Sequence, residues 1–341
     1  METIIIDRLT DDHYLKIAKN TEAKYYNEFI EAIGNLKSCI SSKQYKDLLN
    51  DKLLLNKKIF NEKTFIQGAC EVAVANFFRT KDSFELEAKV NPHNKKDVDC
   101  RFKSNGYVYN IEVKCASFEA KESVEIDDVF KFQTVGRIEG RNELVSELTQ
   151  MLKDGLRNQG KEEKDAAILK NMDNNLKDFL ESANSKFNPD CDENEVNVLL
   201  VGCNDPRDIQ NWVQYLYASS GFFTSESYVN HSNYCNVDFI ALTNLYFKHK
   251  NFHSKRITGS WDLSEVFTLC MGNPYRKKSK HDAMLNFHSE IGSCNSEIEK
   301  YKVPGEAPDF IKEVVKIPHF IHDFLENQKG IYLFEKKEKQ P

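Results

Sequence analysis

The sequence predicts an α/β fold with a central mixed β-sheet flanked by helices, joined to an N-terminal helical region and a large helical insertion. Three observations predict it: helical periodicity through the first 58 residues, a cluster of three short strand patterns between 83 and 114, and later strand patterns separated by helical ones. With 341 residues, 40% hydrophobic and 29% charged, the chain has the composition of a globular protein able to bury a sizeable core.

Each element has its own signal. Across residues 11–58, Leu15, Ile17, Tyr25, Phe29, Ile33 and Leu36 recur at helical spacing, with breaks expected at Gly34 and Ser41–Ser42. Lys63 to Thr80 reads as a helix that is apolar nearly all round, which marks burial. Strands are expected at 83–90, 97–103 and 107–114. Residues 127–182 read as charged helices with a break near Asn158–Gly160. A strand at 196–201 precedes the turn-prone Asn204-Asp205-Pro206, then come a helix over 208–218, a strand over 237–242 and a helix over 319–327. The expected division is 1–59 as the N-terminal helical region, 60–126 as the first part of the core and 127–190 as the charged insertion. Residues 191–334 form the second part of the core, and 335–341 a disordered tail.

Composition excludes several classes. No run of about 18 apolar residues is present, so no membrane-spanning helix is expected. The start METIIIDRLTDDHY has acids directly after a three-residue apolar run, unlike a signal peptide, so a cytoplasmic location is expected. The nine cysteines (39, 70, 100, 115, 191, 203, 235, 270, 294) never take C-x-x-C spacing and read as reduced, mostly buried thiols. His249 and His253 stand four apart, but with no following Glu and no cysteine pair nearby, zinc is not expected.

The chemistry is expected on a hairpin. Asn105-Gly106 suits a type I′ turn, which needs φ > 0 at both central residues. Paired positions then sum to 211, so Phe102 faces Tyr109, Cys100 faces Ile111 and Val98 faces Val113 on an apolar face. The other face pairs Arg101 with Asn110, Asp99 with Glu112 and Asp97 with Lys114. Two carboxylates directly opposite repel and call for a cation between them. A hard divalent ion takes oxygen ligands, and an ammonium on the same face can orient a water beside it. On the buried helix only Gln67, Glu71 and Asn76 are polar between Phe65 and Phe78, with Gln67 and Glu71 one turn apart. A buried carboxylate is costly unless paired or bound to metal.

A helix with Glu71, a strand with Asp99 and the run Ile111-Glu112-Val113-Lys114 together resemble the PD-(D/E)xK nuclease superfamily. The resemblance covers about residues 60–116; no proline precedes Asp99. It implies a restriction-endonuclease-like core in which Asp99, Glu112, Glu71 and the Val113 carbonyl hold Mg (or Mn) and Lys114 assists the attacking water. The sheet would continue past the hairpin through a helix and another strand, for which 196–201 is the candidate.

Net charge is −6, but the segment 246–280 carries Lys248, Lys250, Lys255, Arg256, Arg276, Lys277, Lys278 and Lys280 against only Asp262 and Glu265, with aromatics interleaved. These eight residues are the expected phosphate contacts. The expected activity is metal-dependent hydrolysis of phosphodiester bonds. DNA as substrate, endonucleolytic cutting, restriction or defence against foreign DNA, a homodimer and a regulatory partner follow from the resemblance alone. The rivals are a ribonuclease or structure-selective nuclease on the same site, and a non-catalytic nucleic-acid-binding or scaffolding protein.

Overall fold

The computed structural model describes residues 6–116, 130–133, 141–164, 166–169, 172–253, 257–278 and 280–327. Among them, a six-stranded mixed sheet separates two apolar cores. Its strands, in spatial order, are β1 (Asp82–Ala88), β2 (Val98–Ser104), β3 (Tyr107–Cys115), β6 (Glu195–Gly202), β7 (Phe239–Thr243) and β8 (Thr268–Gly272). β1, β2 and β3 form an antiparallel meander, β3, β6 and β7 run parallel, and β8 returns antiparallel along β7. The expected α/β class with a mixed central sheet is what the chain adopts.

Strand alternation divides the sheet's side chains between the layers. Val196, Val198 and Leu200 join Ile111, Val113 and Phe239 in one core. That core is covered by α1 (Tyr14–Thr21), α2 (Ala23–Lys37), α4 (Glu62–Phe78), α8 (Leu245–Lys250) and α9 (His281–Ile291). Leu199, Val201, Ile240 and Leu242 face the other core, with α6 (Met172–Lys186), α7 (Pro206–Tyr217) and α10 (Asp309–Asn327). Eleven of the seventeen residues of α4 are buried, as its all-round apolar pattern requires. Asn61 caps it by accepting the Thr64 N–H at 2.8 Å.

Several expectations need correction. Gly34 breaks nothing, because α2 runs through it to Lys37; the break after that helix falls at Ser41, whose capping box with Gln44 starts α3 (Ser42–Asp47). The insertion is not wholly helical. β4 (Phe130–Gln133) and β5 (Ala166–Leu169) pair as a separate parallel ribbon, on either side of α5 (Arg141–Asn158). α6, read as part of that insertion, supplies Leu176, Leu180 and Ala183 to the second core. The final helix begins ten residues earlier than expected and carries Pro318 inside it. β8 lies within the basic segment, where no strand was expected. Residues 335–341 lie outside the described residues.

The hairpin register holds over the ladder, where every partner pair from Ser104–Tyr107 to Cys100–Ile111 sums to 211. Asn105 and Gly106 both have positive φ, 48° and 83°. Beyond Cys100 the ribbon turns: Leu86 and Cys100 belong to the first core, whereas their neighbours two residues on, Ala88 and Val98, belong to the second. Glu87 between them takes a positive φ of 54°, unusual for a residue with a Cβ. Val98 therefore does not share the Cys100 face, as simple alternation would have it.

Among the described residues, no helix is long and apolar enough to cross a membrane. All nine cysteines are free and six of them are buried. The N-terminal helices dock through two buried histidines. The His13 ring packs tilted against Phe60 and edge-on against Phe65, with Nε2 3.1 Å from the Leu53 carbonyl. His249 on α8 meets the Tyr25 hydroxyl at 2.9 Å.

Burial pushes the His13 imidazole down to about 4 and the His249 imidazole down to about 3, from an ordinary value of 6.5. An unfolded chain takes up protons below 6.5 that the folded chain refuses, so stability falls as pH drops from that value. Chemical denaturation midpoints should therefore decline between about pH 7 and about pH 5. A His13→Gln/His249→Gln protein should show a shallower decline; an equal slope in both proteins would refute the assignment.

Candidate active site

Charged side chains from six elements meet near the turn at Glu87 and Asp99. The β2–β3 ladder ends at Cys100, and the Asp99 carboxylate accepts the Val113 N–H of β3 at 2.7 Å. The expected pairs Asp99–Glu112 and Asp97–Lys114 do not form, because the ladder ends first; a bond from the Val113 N–H to the Asp99 side chain holds Asp99 beside β3 instead. Glu112 pairs in register with Leu199 of β6, is completely buried, and faces the layer that holds α6.

Such a carboxylate needs compensation. Lys114, two residues on and therefore on the same face, reaches Glu112 Oε1 at 2.8 Å. Lys186, the last residue of α6, reaches the same oxygen at 2.7 Å and Oε2 at 2.8 Å. The end of α6 is held there by amides of the loop before β2: Asn91 and Asn94 donate to the Ser185 carbonyl at 3.2 and 2.7 Å. These bonds satisfy a carbonyl that the ending helix leaves unpaired. Burial and the nearby Asp99 charge push the Glu112 carboxyl up to about 7, against the pull of Lys114 and Lys186. Burial works to lower the Lys114 ammonium, but Glu112, Asp99 and Glu71 outweigh it and hold it above its ordinary value.

On the other side of Asp99 lies a second group. Glu71 of α4 is nearly buried, and its carboxyl is raised by burial and by Asp99. Gln67, one turn earlier, donates to Glu71 Oε1 at 2.7 Å and to the Val113 carbonyl at 3.1 Å. The Lys52 ammonium stands between three carboxylates, 2.6 Å from Glu71, 3.2 Å from Glu87 and 3.9 Å from Asp99. Burial opposes its charge, yet these acids raise the ammonium well above its usual value.

Lys52 ends a π-helical turn, Leu48–Lys52, whose carbonyl lies directly over α4. A Cβ on Gly68 would stand 2.6 Å from the Lys52 carbonyl oxygen, so the turn can sit this close only because position 68 has no side chain. Gly68 thereby sets where the Lys52 side chain begins.

Glu71, Asp99, Glu112 and Lys114, singled out from sequence, are thus brought together, while Lys52, Glu87 and Lys186 were not foreseen. Lys52 and Lys186 come from segments 19 residues before Glu71 and 74 residues after Glu112, and no spacing rule links them to the hairpin. Gly68, in the middle of an otherwise helix-favouring run, was the one available hint of a close approach.

Four carboxylates against three ammoniums leave one negative charge in excess. The donor atoms are carboxylate oxygens with the Val113 carbonyl beside them, the set preferred by hard divalent cations. Among the described residues no three Asp, Glu, His or Cys side chains form a ready-made metal cage. Three carboxylates, Glu71, Glu87 and Asp99, do share one cationic position, that of the Lys52 ammonium, so the donors fit a cation there, while Glu112 pairs with Lys114 and Lys186.

The basic segment does not form one face. Lys248, beyond the end of β7, is buried and donates to the Glu265 carbonyl at 2.6 Å; burial pushes its ammonium down to about 8. Lys280 is buried at the opposite end of β7, paired with Asp238 at 2.9 Å. Neither is a surface cation, which corrects the reading of this segment as a uniform phosphate contact. Lys250 is half-buried on α8, and Arg276 is half-buried and donates to the Asn273 carbonyl at 2.7 Å. Lys277 and Lys278 reach the Pro189 and Cys191 carbonyls at the rim of a small cleft. Lys255 and Arg256 lie outside the described residues.

Compared with models of known families, with curated proteins and with solved structures, the chain matches none.

Gly68→Ala should lower stability by about 1–3 kcal/mol through overpacking, although alanine favours a helix interior by about 1 kcal/mol. Gly155→Ala in α5, where a Cβ meets nothing within 4 Å, should instead raise it. Denaturant midpoints of the two variants should move in opposite directions, and a stabilised Gly68→Ala protein would contradict the packing described.

Proposed function

We propose that this chain is a nuclease that hydrolyses phosphodiester bonds with Mg or Mn, of the PD-(D/E)xK kind. The observation that carries the reading is the clustering of Glu71 from α4 and Asp99 from β2 around the Lys52 ammonium, with Glu112 and Lys114 paired on β3 next to the Val113 N–H that Asp99 accepts. The order of elements supports it too: buried helix, three-stranded meander, crossover helix, then a strand parallel to the third.

Glu71, Asp99 and Glu112 would hold the ion, which would supply Lewis acidity toward the phosphate and a more acidic water. Asp99 is aimed by the Val113 N–H and Glu71 by Gln67, so both carboxylates are oriented before any substrate arrives. Lys114, held at 2.8 Å from Glu112, is the group placed to orient the attacking water and to offset charge building on the phosphate. DNA as the substrate, endonucleolytic cutting and a role in restriction or defence rest on the family resemblance.

A second reading has its own support. Each acid of the expected motif already bonds to a group of the chain itself, Glu71 to Lys52 and Gln67, Glu112 to Lys114 and Lys186, and Asp99 to the Val113 N–H. Such a cluster could serve structure alone in a nucleic-acid-binding or scaffolding protein.

Incubating the purified chain with plasmid, branched DNA and RNA in Mg or Mn separates these readings. Cleavage is expected in the wild type. Asp99→Asn, Glu112→Gln and Lys114→Ala should each lower its rate by about 10²-fold or more. Equal cutting by all of them places the chemistry elsewhere, and binding without cleavage on every substrate favours the second reading. Preference for RNA would replace the DNA assignment and leave the site intact.

A further inference from the structure

We propose that Lys52 is a positioning residue that occupies the cation subsite between Glu71 and Asp99, so that a divalent ion binds there by displacing the Lys52 ammonium. The inference rests on the metal-dependent reading above and adds a residue outside the expected motif.

Three features carry it. The Lys52 Nζ lies 2.6 Å from Glu71 Oε2 and 3.9 Å from Asp99 Oδ1, with Glu87 Oε1 at 3.2 Å. An ion bridging the first two oxygens at coordination distances of about 2.0–2.6 Å would overlap that ammonium. Charge balance points the same way. Counted formally, with every group ionised, the four carboxylates and three ammoniums carry one negative charge in excess. Adding a divalent ion with Lys52 still in place would make it positive by one. Exchanging Lys52 for the ion leaves it neutral, the cheaper state for a half-buried group.

The third feature is anchoring. The Lys52 carbonyl is seated over Gly68, and Leu53 and Leu54, directly after it, are buried. The backbone is therefore held, and displacing the ammonium requires rotation only within the side chain. The Lys52 side chain is one quarter exposed, so its ammonium has a short path to water. The fold places a tethered cation over the carboxylates that would hold a soluble one.

Calorimetric titration of the full chain with Mn²⁺ tests this. Lys52→Met should bind Mn²⁺ at least about tenfold more tightly than wild type, since a like charge within about 4 Å has been removed. Lys52→Arg, which keeps the charge, should bind as weakly as wild type, and Asp99→Asn should abolish binding in either background. Should Lys52→Met fold poorly, the wild type supplies a second readout. Acetylation of Lys52 by an amine-reactive reagent, read by mass spectrometry, should rise when Mn²⁺ is added.

If Mn²⁺ binds the wild type and Asp99→Asn removes it, but Lys52→Met binds no more tightly, Lys52 does not compete and only this inference falls. The same holds if Mn²⁺ protects Lys52 from acetylation. If neither the wild type nor Lys52→Met takes up Mn²⁺, the metal-dependent reading fails and carries this inference with it.

Discussion

The region rests on the neutralisation of Glu112, a fully buried carboxylate in the middle of a sheet. Taking an ionised carboxylate out of water costs several kcal/mol, and breaking a buried pair by removing one partner typically costs about 3–5 kcal/mol. The chain meets that cost with two ammoniums on a single oxygen, one from the same strand and one from the end of α6. The first follows from strand alternation. The second requires that the chain, with 71 residues between Lys114 and Lys186, bring the end of α6 to the face that Glu112 and Lys114 share.

A second constraint is the turn of the β1–β2 ribbon. With regular alternation through Glu87 and Asp99, Ala88 and Val98 would lie over the same core as Leu86 and Cys100. The positive φ of Glu87 and the end of the ladder at Cys100 redirect both strands, and two acids emerge together beside α4. Backbone irregularity of this kind weakens a sheet and persists where surrounding contacts hold it. Here the holding contacts are polar: Asp99 on the Val113 N–H and Lys52 on Glu87.

The basic segment shows how poorly linear charge density predicts a surface. Lys248 and Lys280 stand at opposite ends of β7 and both point inward, each with a specific oxygen partner. Their long apolar stems make such burial feasible, and polar partners, the Glu265 carbonyl for Lys248 and Asp238 with the Glu195 carbonyl for Lys280, make it tolerable. What remains at the surface near the small cleft is Lys277 and Lys278, far fewer cations than the sequence count suggests.

Local pattern alone determined the hairpin: the Asn-Gly turn, the register from Ser104–Tyr107 to Cys100–Ile111, and the placing of Glu112 and Lys114 on one face. It also determined the burial of α4 and the main strands, because these depend on periodicity and turn stereochemistry carried within ten or twenty residues. Only the tertiary structure decided that Lys52, Glu87 and Lys186 complete the cluster, that α6 belongs to the core, and that the lysines of the basic segment part company. Those outcomes depend on which distant side chains neutralise a buried charge, and electrostatic pairing through space leaves no period in a sequence.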